Sequence, residues 1–279
     1  AYFGVAALMI ASIVPLQFRA RAVSTTLLGL TFATVFGVPA VNLVSQHFGW
    51  RWTFAIVSVV AILTMVLIAL YAPRDKGDPE AVPMRELGAL KSGQVWLTLG
   101  VGAIGFGGMF CVYAYVASTA QAVTGVGPSI LPVIFAIFGV GMMIGNVLGG
   151  WAADRFGMKA AAGLLLWSAF ALCLYPLAAQ NLSTLLPVVV MIGIGGGLGS
   201  VLQTRLMDVA GDAQTLAAAL NHSAFNLANA LGPLLGGMAI AAGWGFASTG
   251  YVGAGLALGG LAIWVVAYLT GRKTVVKNP

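Results

Sequence analysis

The sequence predicts an all-α protein that crosses a membrane many times. Sixty per cent of its 279 residues are apolar and only 7% are charged, which leaves too little polar surface for a soluble domain. Two long stretches, Ser92–Ala153 and Ala160–Thr204, contain no charged side chain. Each is long enough to cross the hydrocarbon core twice, because one helical crossing needs about 20 apolar residues. The 38 glycines agree with this class, since small residues let helices pack closely inside a bilayer.

The charge-free intervals predict nine membrane spans. One span each is expected in Ala1–Phe18, Ala22–Trp50 and Trp52–Pro73. Two spans each are expected in Ser92–Ala153, divided at 124–128, in Ala160–Thr204, divided at 180–184, and in Ala213–Gly271, divided at 243–245. Residues 74–93 are the longest polar stretch. They are predicted to link a first bundle, residues 1–73, to a second bundle with a short tail, residues 94–279.

The basic residues predict how the chain is oriented. Of the 13 basic residues, all but Arg51 fall in one set of alternating loops. Basic residues concentrate in cytoplasmic loops, so the C-terminus is expected to be cytoplasmic and Ala1 to face outward, in the inner membrane. Their scattering over short loops argues against nucleic acid as a partner. Cys111 and Cys173 lie inside apolar runs, which predicts small core residues rather than a disulfide or a metal site.

An internal repeat relates the two predicted bundles. Pro39 and Gly49-Trp50 recur as Pro233 and Gly243-Trp244, an offset of 194 positions (233 − 39). Such a duplication is typical of transporters built from two related bundles. By the same offset the first bundle lacks about a hundred residues, enough for three spans. The expectation is therefore a piece of a twelve-span, six-plus-six protein, and the alternative is a complete nine-span chain.

A charged loop in the second bundle resembles a known signature. The pattern is Gly150-x-x-x-Asp154-Arg155-x-Gly157-x-Lys159, and it is similar to the loop signature of the major facilitator superfamily between the eighth and ninth helices. Three further segments are similar to its twelve-span drug:proton antiporter branch, of the arabinose-efflux and chloramphenicol-exporter type: Ala1–Gly4, Gly49–Phe54 and Asn221–Gly232. The resemblance implies the major facilitator fold with nine of twelve transmembrane helices present, helices four to twelve.

The resemblance also implies a mechanism and a helix motif. It implies efflux by alternating access of a monomer, with the proton gradient as energy source and no bound cofactor. The family's membrane-embedded acid and an arginine would lie upstream of Ala1. The antiporter-type helix motif corresponds to Gly37 and Pro39 in the first bundle, and more fully to Gly232, Pro233, Gly236 and Gly237 in the second.

The charged loop is predicted to act as a gate. A carboxylate at Asp154 can accept backbone N–H groups at a neighbouring helix start, where the helix dipole favours negative charge, or pair with Arg205. The resemblance implies that this contact latches the inner gate of the outward-facing state. The alternative is that these charges only set the topology. The gate candidates are Gly150, Asp154, Arg155, Gly157, Lys159 and Arg205.

Polar and aromatic side chains within the spans are the substrate-cavity candidates. A helical wheel from Asn221 places a polar stripe in one arc, beside Gly232, Pro233 and Gly236, and it places Ala224, Leu227, Ala228, Leu231, Leu234 and Leu235 opposite. Unsatisfied polar groups facing hydrocarbon cost several kcal/mol, so the stripe is expected to face protein or a water-filled cavity. Helix packing and substrate binding both remain open. The candidates are Asn221, His222, Phe225, Asn226 and Asn229, with Phe106, Phe110, Tyr113 and Tyr115 as an aromatic wall and Gln203 and Asn146 as weaker additions.

These features favour a transporter over other membrane proteins. No Asp or Glu lies in the interior of the predicted spans, so a proton-driven pump needs an acid elsewhere or a relay through His222. The predicted function is proton-coupled efflux of a sugar or drug-like molecule, with that small molecule and the lipid bilayer as partners. A passive facilitator is the alternative. A membrane-embedded enzyme is less favoured, because the two histidines are far apart and no intramembrane acid accompanies them.

Overall fold

A computed structural model describes residues 29, 32–72, 87–210 and 213–275. All regular structure in these ranges is helical. We number the long helices α1 to α8. The first four are α1 (Val38–Phe48, after a π-helical turn Ala33–Gly37), α2 (Trp50–Tyr71), α3 (Gly93–Gly100, π-helical Val101–Gly105, Gly107–Thr119 and π-helical Ala120–Thr124) and α4 (Leu131–Phe156, after the 3₁₀ turn Pro128–Ile130). The last four are α5 (Lys159–Ala178), α6 (Leu182–Ile194, 3₁₀ Gly195–Gly197 and Leu198–Ala210), α7 (Gln214–Ala239 and π-helical Ile240–Trp244) and α8 (Thr249–Val275, after 3₁₀ Phe246–Ser248).

Seven helical segments of the described chain are long and apolar enough to span a membrane: Trp50–Tyr71, Gly93–Thr124, Pro128–Phe156, Lys159–Ala178, Leu182–Ala210, Ala219–Trp244 and Phe246–Gly271. They confirm the span expected in Trp52–Pro73 and all six expected after the linker, including their three dividing points. Of Ala22–Trp50, residue 29 and the part from Phe32 are described and helical. Ala1–Phe18 and most of the linker lie outside the described residues, so the total of nine stays a prediction.

The end of α6 differs from the prediction. The span was expected to stop at Thr204, before the first charge, but the helix continues to Ala210 and carries Arg205 and Asp208 in its last turns. A charged residue marks the end of the membrane-crossing part of the helix but not the end of the helix itself. Backbone hydrogen bonding continues past it, and its long side chain reaches the membrane–water interface. Arg205 is therefore held by a helix and not by a loop.

Helices α3 to α8 pack around a common core. α3 supplies much of the buried interior, including Val95, Val101, Val112 and Val116, and packs against both α7 and α8. α5 packs on α8, and α4 packs on α6. α1 contacts this bundle through α4, whereas α2 packs on α1 and is exposed over nearly its whole surface. Such an apolar, exposed helix suits a lipid surround rather than water.

A glycine stripe brings α4 and α6 into close contact. The sequence predicts close packing from Gly141, Gly145 and Gly149, which recur every fourth residue. The structure confirms it, because a Cβ atom on any of them would collide with the α6 backbone. The opposing α6 residues are Val190, Gly193, Ile194 and Gly197.

The two cysteines occupy different environments. Cys111 is fully buried in α3, and its Sγ lies 3.3 Å from the carbonyl oxygen of Thr249, which confirms the predicted core position. Cys173 is exposed on α5, so its predicted core position is wrong. In an apolar membrane helix, side chains facing lipid and side chains facing the core have the same polarity, and polarity alone does not separate them.

Candidate functional site

The signature loop is a tight connection between α4 and α5. Gly157 follows α4 with φ 53° and ψ −136°, a conformation that residues with a side chain avoid. Its N–H donates to the carbonyl oxygen of Ala153 at 2.8 Å. The indole N–H of Trp264 in α8 donates to the carbonyl oxygen of Met158 at 2.7 Å and ties the loop to the bundle. The signature glycine is therefore required by the geometry of the turn.

The charged members of the signature lie at the surface. Asp154, Arg155 and Lys159 are exposed, and Gly150 faces open space. Within the described residues, Asp154 forms no hydrogen bond or ion pair. The expected Asp154–Arg205 pair is not formed in this structure. The loop therefore presents its charges freely at one end of the bundle.

Arg205 instead joins the ends of three helices. Its Nη2 donates to Oε1 of Gln94 in α3 at 3.3 Å. The Nε2 of Gln94 donates to the carbonyl oxygen of Ala267 at 3.1 Å and to Oγ1 of Thr270 at 2.8 Å, both in α8. Among the described residues, the buried Nε of Arg205 has no hydrogen-bond partner. Sequence patterns did not single out Gln94, although a polar residue at a span end on the same predicted side as Arg205 was the available signal.

Asn221 and Gln203 form a buried link between α7 and α6. The Nδ2 of Asn221 donates to Oε1 of Gln203 at 2.6 Å, and Asn221 is 3% exposed. This pairing satisfies an amide that is costly to bury alone. Next to it, His222 is half-buried and its ring lies 6.4 Å from that of Phe225. Asn221 therefore serves helix packing at this end of α7.

An aromatic cluster, formed by Phe106, Phe110 and Phe225, joins α3 to α7. Phe225 stacks on Phe106 with ring centroids 4.7 Å apart, and Phe110 lies 5.5 Å from Phe106. Phe106 directly follows the π-helical turn Val101–Gly105. Such turns change the direction in which later side chains point and are frequent at functional sites.

The two tyrosines of the predicted aromatic wall point elsewhere. The ring of Tyr113 makes edge contacts with Phe138 and Phe135 of α4, at 4.9 and 5.7 Å. The hydroxyl of Tyr115 donates to the carbonyl oxygen of Pro233 in α7 at 3.0 Å. The four aromatic residues therefore contact two different helices, because successive positions on a helix are about 100° apart. They do not form a single wall.

The antiporter-type motif of α7 is a packing surface for α3. A Cβ atom at Gly232 would collide with the carbonyl oxygen of Gly107 and lie 2.8 Å from the backbone nitrogen of Cys111. At Gly236 and Gly237 the corresponding atoms would lie 2.7 Å from the Cys111 Sγ and from the Tyr115 hydroxyl. Just before α1, a Cβ atom at Gly37 would meet Ala33 alone among the described residues, and Pro39 occupies the first turn of α1.

The predicted polar arc of α7 is divided in the structure. Phe225, Gly232 and Gly236 face α3, whereas Asn226 and Asn229 are exposed on the neighbouring side. Residues Ala224 and Ala228, expected on the opposite side, are buried. Close approach of two backbones, which needs small side chains, decides the buried side here. The exposed amides of Asn226 and Asn229 therefore lie beside the aromatic cluster. Asn146 is likewise exposed, on α4.

A side-chain hydrogen bond joins the two predicted bundles at the end of α4 away from the signature loop. The Nε2 of Gln46 in α1 donates to the carbonyl oxygen of Pro128 at 2.8 Å and to Oδ1 of Asn42 at 2.6 Å. Because Pro128 precedes α4 and Asp154 lies in its last turn, a single helix joins this contact to the charged loop.

Comparison with known proteins identifies relatives along the whole chain. The profile of the Major Facilitator Superfamily matches residues 1–161 and 97–279. The inner membrane transport protein YdhP of Escherichia coli (strain K12) is 34% identical over 274 residues, which cover 98% of this chain and 70% of that protein. The chloramphenicol resistance protein of Streptomyces lividans is 32% identical, covering 84% of this chain and 61% of the relative. The putative transporter AraJ of E. coli is 26% identical, covering 87% and 62%.

A solved structure has a similar helical arrangement. It is a bacterial homologue of the human lysosomal transporter Spinster, in an inward-facing and unoccupied conformation. The TM-score is 0.65 at 18% sequence identity, over 96% of this chain and 74% of that one. At this level of identity the likeness concerns the fold.

Proposed function

Because the chain belongs to the major facilitator superfamily, we propose that it is part of a secondary active transporter that exports a small sugar-like or drug-like molecule, with protons as the counter-ion. Alternating access in such proteins arises when two bundles rock about a central site. The Gln46–Pro128 hydrogen bond is one contact between the two bundles that this motion would break and remake. The transporter is proposed to work as a monomer in the inner membrane, with its C-terminus in the cytoplasm.

The observation that carries this proposal is the combination on α7 of exposed amides and a neighbouring aromatic cluster. Asn226 and Asn229 offer hydrogen-bond donors and acceptors, and the rings of Phe106, Phe110 and Phe225 offer an apolar surface. Binding sites for small molecules are mainly apolar, with a few polar groups that orient the ligand. This arrangement suits an uncharged or weakly charged amphipathic substrate.

The relatives favour the same two substrate classes. One is named for chloramphenicol resistance, and another, from Haemophilus influenzae, is a probable sugar efflux transporter that is 27% identical over 282 residues. Both kinds of compound carry hydroxyl groups that an amide can bind. We propose that this chain exports a compound of one of these classes.

The proposed proton coupling depends on where a titratable group lies. The carboxylates on the described spans, Asp154 and Asp208, lie in the last turns of α4 and α6. Farther inside the bundle, His222 is the described side chain whose charge ordinarily changes near neutral pH. Coupling is therefore proposed to use His222 or a group outside the described residues.

Reconstitution tests the proposal directly. The purified transporter in proteoliposomes, with a pH-sensitive dye inside, is exposed to chloramphenicol or to arabinose under an imposed pH gradient. Proton movement that starts on addition of one compound, and uptake of that compound that stops when the gradient is dissipated, are the expected results. If His222→Gln still binds the substrate but no longer moves protons with it, His222 is the proton relay. If this variant keeps full proton coupling, the relay is a different group.

A passive facilitator is the second candidate, and the absence of an acid from the interior of the described spans favours it. A facilitator would equilibrate the same compound without moving protons. Transport that continues unchanged after the gradient is dissipated would show a passive facilitator instead of a proton-coupled exporter. Chemical conversion of the compound without its transport would reject both functions and favour a membrane-embedded enzyme.

The charged loop is proposed to act as the inner gate. Asp154→Asn is expected to reduce transport at least tenfold, corresponding to about 1.4 kcal/mol in the conformational equilibrium, while membrane insertion and Tm stay unchanged. Asp208→Asn is a matched control, because Asp208 is also exposed near a helix end and lies outside the signature. Equal transport by the two variants would make Asp154 a loop charge that only sets the topology.

A further inference from the structure

Two apolar grooves of similar size lie between helices of the second bundle. The α4/α5 groove, of about 480 Å³, is lined by Leu148, Ala152 and Phe156 of α4, by Lys159, Ala160, Gly163, Leu164 and Trp167 of α5, and by Ile194 of α6. The α7/α8 groove, of about 460 Å³, is lined by Leu235, Met238, Ala239, Ala242, Trp244, Val252, Gly255 and Leu256. Only the first has a charged residue in its lining. The pair therefore allows the effect of charge to be separated from that of apolar shape.

Positive charge is concentrated at one end of the α4/α5 groove. Lys159 lines the groove and forms no ion pair within the described residues. On α4 the groove side is marked by Ala152 and Phe156, and Arg155 lies about 60° from Ala152, at the groove edge. Asp154 lies about 200° from Ala152 and so points to the opposite side of the helix. The net charge that a molecule in the groove meets is therefore positive.

Aromatic residues suggest that this end of the groove lies at the membrane surface. Trp151 is exposed and makes an edge contact with Phe156 at 5.8 Å, and exposed tryptophans concentrate at the level of lipid headgroups. Deeper in the groove, the indole N–H of Trp167 donates to the carbonyl oxygen of Met191 at 2.8 Å. The Trp167 ring therefore presents no unpaired donor to an apolar occupant.

We propose that the α4/α5 groove binds an anionic phospholipid, with one acyl chain along the apolar lining and the phosphate at Lys159 and Arg155. The charge complementarity identifies the occupant, because a zwitterionic lipid gains less from two cations that form no ion pair within the described part of the chain. Basic pockets between membrane helices are typical headgroup sites on the cytoplasmic side, which is the side that the basic residues predict for this loop. The proposal does not depend on what the protein transports.

Quenching of tryptophan fluorescence tests the proposal in vesicles. The protein is reconstituted in phosphatidylcholine containing increasing fractions of phosphatidylglycerol with brominated acyl chains, or of brominated phosphatidylcholine. The signal of Trp167 is obtained by subtracting the spectrum of Trp167→Phe from that of the parent protein. We expect Trp167 to be quenched at a roughly thirtyfold lower fraction of brominated phosphatidylglycerol, because Lys159 and Arg155 each provide an about fivefold preference.

Two controls make the outcome decisive. Trp244 in the uncharged α7/α8 groove, measured by the same subtraction with Trp244→Phe, is expected to show no preference between the two lipids. Lys159→Gln is expected to reduce the Trp167 preference about fivefold, Lys159→Arg to keep it, and the double variant Arg155→Gln/Lys159→Gln to remove it. Equal quenching of Trp167 by both lipids in the parent protein, or a preference that survives in the double variant, would overturn the proposal.

Discussion

The two copies of the predicted internal repeat, α1–α2 and α7–α8, both turn at a glycine with positive φ but differ in how they pack. Gly49 and Gly243 are 194 positions apart (243 − 49), and both adopt positive φ, 89° and 86°. Before that turn, α7 carries Gly232, Gly236 and Gly237, whereas the equivalent positions of α1 are Val38, Asn42 and Leu43. The glycines of α7 let α3 approach backbone to backbone. α1 has no glycine at these positions, and within the described residues it contacts the second bundle through α4.

In α1 a side-chain hydrogen bond links the helix to the start of α4. Asn42, at the position of Gly236, accepts a hydrogen bond from Gln46, which also donates to Pro128 at the start of α4. A permanent backbone contact suits helices within one bundle, and an exposed hydrogen bond that is easily exchanged for water suits a boundary that opens. The two hairpins therefore make different contacts, because α7 packs backbone to backbone on α3 and α1 hydrogen-bonds to the start of α4.

The largest effect is expected for Gly232→Ala in α7. The new Cβ would meet the carbonyl oxygen of Gly107 and the nitrogen of Cys111, backbone atoms that move only if α3 moves. We expect a loss of about 1–3 kcal/mol of unfolding free energy, seen as a lower Tm in detergent by circular dichroism.

Gly37→Ala is the control from the other copy, where the Cβ would lie 3.8 Å from that of Ala33. It is expected to be neutral or to stabilise by up to about 1 kcal/mol, from helix propensity. Similar losses in both variants would show that the copies pack alike.

A smaller effect is expected at the shared turn. Among the described residues, a Cβ atom added at Gly49 or Gly243 would meet no other atom within 4 Å, so substitution by alanine is expected to cost only backbone strain, about 1–2 kcal/mol. The two turns differ in ψ, 158° at Gly49 and 10° at Gly243, and asparagine tolerates only the second region. Gly243→Asn is therefore expected to recover part of the Tm lost in Gly243→Ala. Gly49→Asn is expected to stay as low as Gly49→Ala, and recovery at both sites would contradict the difference in turn geometry.

The smallest effect is expected for Tyr115→Phe. The change removes one hydrogen bond to the Pro233 carbonyl while the ring stays packed, and it is expected to cost about 0.5–1.5 kcal/mol. Tyr113→Phe is the control, because Tyr113 contacts α4 through its ring. Thermal unfolding of the two variants side by side measures the difference. A Tm that falls equally in both would mean that the Tyr115–Pro233 bond does not contribute to the α3–α7 contact.

Much of the fold, and less of the candidate site, was predictable from the sequence. Span positions follow from runs of apolar residues, and the dividing points at 124–128, 180–184 and 243–245 were found because turn residues interrupt those runs. The stripe Gly141, Gly145 and Gly149 was also recognisable, since its spacing alone defines a helix face. The Arg205–Gln94 contact was missed, because the position of Gln94 at a span end on the same predicted side does not by itself identify which distant residue it contacts.

The sequence by itself determined that this chain is a bundle of membrane helices, where most of them begin and end, and where glycine must turn the backbone. These properties are local, because they depend on hydrophobic length and on the φ that a single residue permits. Only the tertiary structure decided which side of each helix is buried, placing Cys173 outside, Ala224 and Ala228 inside, and Tyr115 against Pro233. In a membrane, core-facing and lipid-facing side chains are equally apolar, so the choice between them rests on shape and on distant hydrogen-bond partners.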